Sequence, residues 1–293
     1  MTPITAALTL LPPHVRSAGS RARACHDLAV ASVLSGLVLL CAPALAVQTA
    51  RAPTADATLF GVEPDRANGS GSHLFVGATA GGDPLRALLR FDLSDIPPGS
   101  TVRAVSLHVV VDRLALGPAA GNTASLHRLL ARWSEGESGL GGGSNGGGEV
   151  ARPGDVTWTQ RHYAAQPAQN WDSAGGDFAE QASASIPMNT IGAFVWTDTP
   201  DMRADVQAWV NDPSSNHGWL IKGSEQTTRT AKRLVSREGG VNVPQLTIEY
   251  DPPVETSGDV PLPAWALGAL AAALAGVVAR PRRQRSPDRQ DGA

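Results

Sequence analysis

Val102-Arg103-Ala104-Val105-Ser106-Leu107-His108-Val109-Val110-Val111 is the stretch on which the fold turns. Val105, Leu107, Val109 and Val111 fall on one side of an extended chain and Ser106 and His108 on the other, because side chains alternate along a strand. That pattern predicts a strand with one core face and one wetter face. Upstream, Ile96-Pro97-Pro98-Gly99 is turn chemistry, and Ala87-Leu88-Leu89-Arg90-Phe91-Asp92-Leu93 before it reads as a second strand, expected to pair antiparallel with the first. Downstream, strands are expected at Ser125 to Leu130, Val156 to Trp158, Phe194 to Thr197, Trp219 to Lys222, Arg233 to Ser236 and Leu246 to Tyr250. Short β segments separated by Gly, Pro, Asn and Asp predict an all-β, antiparallel two-sheet sandwich. One short helix interrupts them. Thr199 can cap it, Pro200 suits its first position, and Met202, Val206, Trp209 and Val210 share one helical face, which should pack as a lid over one end. Residues 136–148 are Gly-rich, with Leu140 as their single apolar anchor, and predict a flexible loop.

The two ends of the 293-residue chain read as targeting segments. Arg16, Arg21 and Arg23 precede the apolar run Leu28 to Leu40, and Ala44-Leu45-Ala46 supplies a signal-peptidase pattern, so residues 1–46 read as a signal peptide cleaved after Ala46. Both cysteines, Cys25 and Cys41, lie in that segment, which excludes disulfides and thiolate chemistry from the mature domain. Residues 47–53 and 252–259 read as linkers around a domain at 54–251. Val260-Pro261-Leu262-Pro263-Ala264 then leads into an apolar run to Ala279 and a basic end through Arg283, so 260–283 reads as a sorting signal and transmembrane helix. Its apolar run would cover only about 24 Å, short for a permanent span, and residues 284–293 read as a disordered tail. Between residues 54 and 253, 22 acidic side chains face 15 basic ones, a balance of -7, which argues against nucleic acid as a partner.

Two resemblances extend this reading. The tail resembles the VPLPA class of PEP-CTERM-like sorting signals of Gram-negative bacteria, which implies an exosortase-type sorting machinery as partner and surface display. Within the domain, the ordered phrases Leu88 to Leu93, Ile96 to Val102, Trp133-Ser134-Glu135, Val156-Thr157-Trp158, Trp171 with Gly175-Gly176-Asp177, Asp205 to Val210, Asn216 to Lys222, Ser236-Arg237-Glu238 and Pro244 to Tyr250 resemble the DNRLRE-domain family. That family overlaps carbohydrate-binding modules associated with alginate-degrading enzymes. The resemblance covers nearly all of residues 56 to 251 and implies a jelly-roll-like sandwich without catalytic activity.

Candidate site residues follow from chemistry. Trp133, Trp158, Trp209 and Trp219 sit beside aliphatic residues and read as core, whereas Trp171, among loop residues, is the best candidate for an indole that stacks on sugar. Arg86, Arg90 and Arg103 are close enough in sequence to form a basic patch for an acidic polymer. Asp56, Asp65, Asp92, Asp95, Asp172 and Asp177 could offer oxygen to a structural calcium, with Asp172 and Asp177 the metal candidates, although turn capping is the favoured reading of such residues. No other cofactor and no catalytic residue is expected. Gly142-Gly143-Ser144-Asn145-Gly146 matches a hydrolase motif without the strand and helix it requires. The expected function is a noncatalytic, exported envelope or cell-surface protein that binds an exopolysaccharide and is anchored at least transiently in the inner membrane. The alternatives are an adhesive matrix protein without sugar binding and a small polysaccharide lyase or hydrolase.

Overall fold

A computed structural model describes residues 46–115, 122–139 and 147–254. The signal segment through Leu45, the tip of the Gly-rich loop and everything from residue 255, including Val260 to Ala264 and the expected span, lie outside the described residues.

Among the described residues, fifteen strands run in the order β1 (Val47–Arg51), β2 (Ala55–Phe60), β3 (Arg66–Ala67), β4 (His73–Ala78), β5 (Pro84–Arg90), β6 (Thr101–Leu114), β7 (Thr123–Arg128), β8 (Glu149–Val150), β9 (Gln160–His162), β10 (Gln169–Asn170), β11 (Ala184–Pro187), β12 (Gly192–Trp196), β13 (Trp219–Lys222), β14 (Lys232–Val235) and β15 (Gln245–Asp251). Helix α1 (Pro200–Asn211) enters between β12 and β13. The main hydrogen-bonded path is β1-β15-β6-β14-β4-β5-β13-β7-β11, with β12 added on β6 and β2 on β5, and every pairing is antiparallel. The all-β expectation holds.

The path folds into two sheets at β4. His73 to Val76 pair with β14, whereas Gly77 and Ala78 pair with β5. Gly77 makes that bend at φ 107°, and a Cβ there would lie 2.6 Å from the Thr230 carbonyl oxygen, so only glycine fits. Between the sheets lies a core that includes Leu74 and Val76 of β4, Ala87 and Leu89 of β5, Val105, Leu107, Val109 and Val111 of β6, and Leu246 and Ile248 of β15. The predicted face of Val102 to Val111 is therefore the buried one. The expected pairing of the two strands does not form: β5 pairs with β2, β4 and β13, while β6 pairs with β15, β12 and β14. The Ile96 to Gly99 turn carries the chain from one sheet to the other, so the two strands meet through core side chains instead of backbone bonds.

Thr199 Oγ1 accepts the Met202 amide at 3.0 Å and starts α1 as expected. Met202, Val206, Trp209 and Val210 are buried in the main core, each worth about 1.5–3 kcal/mol of apolar burial. Trp209 meets Trp219 edge-on, with centroids 4.6 Å apart. Among the described residues no helix is long and apolar enough to cross a membrane.

A second apolar layer covers the outer face of the β2-β5-β13-β7 sheet. Ala55, Ala57, Leu59, Leu88 and Leu220 point outward into Leu129, Trp133, Val156 and Trp171, with Trp158 and Phe178 packed at the margin. Val156 to Trp158, expected as a strand, is irregular and belongs to this covering segment. The expected linker 47–53 contains β1, which pairs along its whole length with β15, from Val47 opposite Tyr250 to Arg51 opposite Leu246. Backbone bonds hold it, so its side chains need no apolar pattern. The described arms of the Gly-rich loop are also held: Ser138 is buried, its hydroxyl donates to Asp155, and its carbonyl accepts Gly69 and Ser70 amides at 2.6 and 2.9 Å.

Candidate functional site

Arg86 and Arg90 stand on the same outward face of β5, one turn of the pleat either side of Leu88. Arg86 is spent. Its Nε and Nη2 donate to Glu225 at 2.7 and 2.9 Å, its Nη1 donates to the Gly175 carbonyl at 2.8 Å, and its guanidinium lies 4.8 Å from the Trp158 ring centroid and 5.2 Å from that of Phe178. Gly175, at φ 92°, lets backbone approach this closely, since a Cβ would meet Trp158 at 2.7 Å. Beside it a groove of about 450 Å³ opens over Ser125, His127, Lys222 and Glu225. His127 Nδ1 must donate to the Ala179 carbonyl at 2.9 Å, so in the neutral ring Nε2 accepts the Ser125 hydroxyl at 3.0 Å. Burial first, then the Lys222 and Arg86 charges, hold His127 below the usual histidine range.

Arg90 meets a different environment. It lies 5.1 Å from the Trp133 ring centroid and Nη1 donates to the Trp133 carbonyl at 2.9 Å. Arg132 acts on it directly, Arg90, Arg132 and Arg161 all act on His217 and His162, and Arg161 Nη1 donates to the Arg132 carbonyl at 3.3 Å. Among the described residues none of these three guanidinium groups forms an ion pair with a carboxylate. Burial and then the Arg132 charge lower the pKa of Arg90; Glu135, the acid that acts on it, is itself forked by Arg237. His217 and His162 are pushed down first by burial and then by nearby arginine charges, which disfavours the charged ring at both.

Arg90 is the ridge between two cavities of about 290 Å³ each. One is lined by Arg132, Ser214, His217 and the other by Thr54, Asp92, Ser94 and Trp209, while Arg90, Pro213 and Asn216 line both. Asn216 Nδ2 donates to the Phe91 carbonyl at 2.8 Å, but its Oδ1 is buried without a partner, as is Nε1 of Trp209. Arg90 and Arg132, which line these cavities without a carboxylate partner among the described residues, suit a ligand that carries carboxylate groups.

The sequence-predicted residues scatter. Trp171 is 5% exposed, and its indole N–H donates to the Thr157 carbonyl at 2.9 Å, so its ring is core and offers no face for stacking. A loop position had pointed outward on sequence grounds; the covering segment folds it inward over Leu220 and Leu88. Arg103 lies on β6, in the other sheet, where Nε donates to Asp251 at 2.6 Å, so the three arginines do not form one patch. Asp172 and Asp177 make a capped turn: Asp177 accepts the Asp172 and Ser173 amides at 3.0 and 2.9 Å, and Asp172 contributes its amide instead of its carboxylate. Trp133, Trp209 and Trp219 are buried as expected, and Trp158 is half-buried. Arg132 and Arg161 carry no sequence signal, because Arg132 lies in an irregular segment and Arg161 on the three-residue β9, too short to show alternation; Asn216 and His217 do appear in an ordered phrase. The carboxylates that do converge are Asp56, Glu135 and Glu238, with one oxygen of each within 4.8 Å of the others.

No protein-family model matches the chain, and no curated protein matches it.

Proposed function

We propose that this chain is an exported, noncatalytic envelope or cell-surface protein whose sandwich binds an acidic polysaccharide in the Arg90 cleft. One observation carries the proposal: a domain with a balance of -7 nevertheless gathers Arg90, Arg132 and Arg161 with no carboxylate partner among the described residues. Leaving three guanidinium groups close together costs electrostatic energy, which an anionic ligand recovers through charge-assisted hydrogen bonds. The ordered phrases that resemble the DNRLRE-domain family and the two terminal segments support the same reading: export by a signal peptide, handling by exosortase-type machinery, and at least transient anchoring in the inner membrane of a Gram-negative cell.

Affinity electrophoresis of the purified full chain tests it. Alginate should retard the chain, an uncharged glucan should not, and added salt should release it. Equal retardation by charged and uncharged polymers would end the acidic-ligand reading. The second reading, a matrix protein with a protein partner, is favoured by the tryptophans, since Trp133, Trp171, Trp196, Trp209 and Trp219 are all buried and none forms an open stacking platform. Absence of retardation by every polymer would put that reading first.

A further inference from the structure

We propose that Asp56, Glu135 and Glu238 form a divalent-cation site, suited to calcium, at the seam where β2 meets the end of β14. The three come from distant parts of the chain: β2, the segment after Trp133, and the short turn Arg237–Gly239. One carboxylate oxygen of each lies within 4.8 Å of the others.

Asp56 supplies the second, separate observation. Along β2, Ala55, Ala57 and Leu59 face the outer apolar layer, so Asp56 and Thr58 face inward. Thr58 is satisfied there, accepting the Phe75 amide at 3.1 Å. Asp56 is 0% exposed, and Oδ2 accepts the Arg237 amide at 2.7 Å, yet Oδ1 is buried with no hydrogen-bond partner. A buried carboxylate oxygen without a partner, set among two further carboxylates, is the arrangement a bound cation completes.

Charge points the same way. Arg237 forks Glu135 at 2.7 and 2.7 Å and reaches Glu238 at 2.8 Å, and Glu135 Oε1 also accepts the Asp56 amide at 2.7 Å. Ionised together, as a bound cation would hold them, three carboxylates against one guanidinium carry two negative charges, the charge of one divalent ion. All the donors are oxygen, with neither imidazole nor thiolate among them, which suits calcium over zinc. An ion there would staple β2 to the wall that carries Trp133, on which Arg90 packs. This site stands apart from the polysaccharide reading and holds whether or not the cleft binds sugar.

Isothermal titration of metal-stripped full chain with calcium chloride, paired with thermal unfolding, decides the matter. The expected result is saturable binding of one ion with a rise in melting temperature, weakened at least about tenfold in Asp56→Asn and in Glu238→Gln but unchanged in Asp172→Asn. Asn keeps an oxygen for the Arg237 amide, and near-UV circular dichroism checks that the variant is folded; should it not fold, Glu238→Gln alone decides. Neither heat nor a melting shift up to about 10 mM calcium, weaker than extracellular calcium modules bind, would overturn the site. So would binding that survives unchanged in a folded Asp56→Asn, or in Glu238→Gln if Asp56→Asn does not fold.

Discussion

Arg86 and Arg90 share a strand, a face and a residue type, and the protein uses them in opposite ways. Arg86 is clamped between Trp158 and Phe178 and neutralised by the Glu225 fork, so its charge and its donors are consumed inside the fold. Arg90 stacks on Trp133, receives no carboxylate among the described residues, and has Arg132 for company. Between them Leu88 lies under the apolar layer of Trp133 and Trp171. The covering segment therefore seals the middle of the sheet and leaves its two ends open, one internally balanced and one positively charged. An arginine becomes a binding group when the fold withholds its acid, which residue type and strand position alone do not reveal.

The layer that separates the two ends is the first place to break this comparison. Trp171→Ala removes a buried indole and should cost about 3–5 kcal/mol, read from the urea midpoint. A cost under about 1 kcal/mol would mean that the covering segment is loosely laid and that the ends are not separated by a true core. Next, Arg86→Ala leaves Glu225, whose side chain is 10% exposed, with only the longer Lys222 contact at 3.9 Å, and should cost about 3 kcal/mol while leaving polymer retardation per folded molecule unchanged. Loss of retardation in the folded variant would place Arg86 in the site after all.

A graded effect, smaller for each pH unit, comes from the seam beside Trp133. Asp56 titrates at about 8 in the folded chain, raised mainly by burial and further by the Glu238 and Glu135 charges against the pull of Arg237, whereas its ordinary value is 3.8. Between those limits the folded state holds a proton that the unfolded state has lost, so stability falls as pH rises, by about 1.4 kcal/mol per unit. Lys232, buried without a carboxylate and lowered by burial from 10.5 to about 8, acts in the complementary window: from pH 8 to 10.5 stability rises with pH. In chelator, the stability difference between wild type and Asp56→Asn, read from urea titrations, should decline as pH rises through the first window, while the rise above pH 8 should persist in the variant.

Much of this architecture is legible in the sequence, for stated reasons. The alternation of Val105, Leu107, Val109 and Val111 is the core face of β6, and Thr199 with Pro200 starts the helix, since both signals depend on local geometry alone. Alternation assigns faces but not partners, which is why β5 and β6 could look like a hairpin while belonging to different sheets. β1 is silent because its stability comes from backbone bonds to β15. The site is less legible. Arg90 and Asp56 stand out as a cation and a carboxylate on strands, but Arg132 and Glu238 reach them through irregular segments, and Arg161 through the three-residue β9, whose course only the folded chain defines. Trp171 shows the reverse failure, a loop residue drawn into a core that the strands do not announce.

The most direct test compares retardation by alginate of the wild-type full chain and Arg132→Ala, alongside Asp112→Asn on the opposite sheet. Arg132 is exposed, so its loss should leave stability within about 0.5 kcal/mol while weakening retention about tenfold, and Asp112→Asn should be retained at least as well as wild type. Retention that Arg132→Ala leaves intact, in a chain that alginate does retard, would contradict the assignment of binding to the Arg90 cleft.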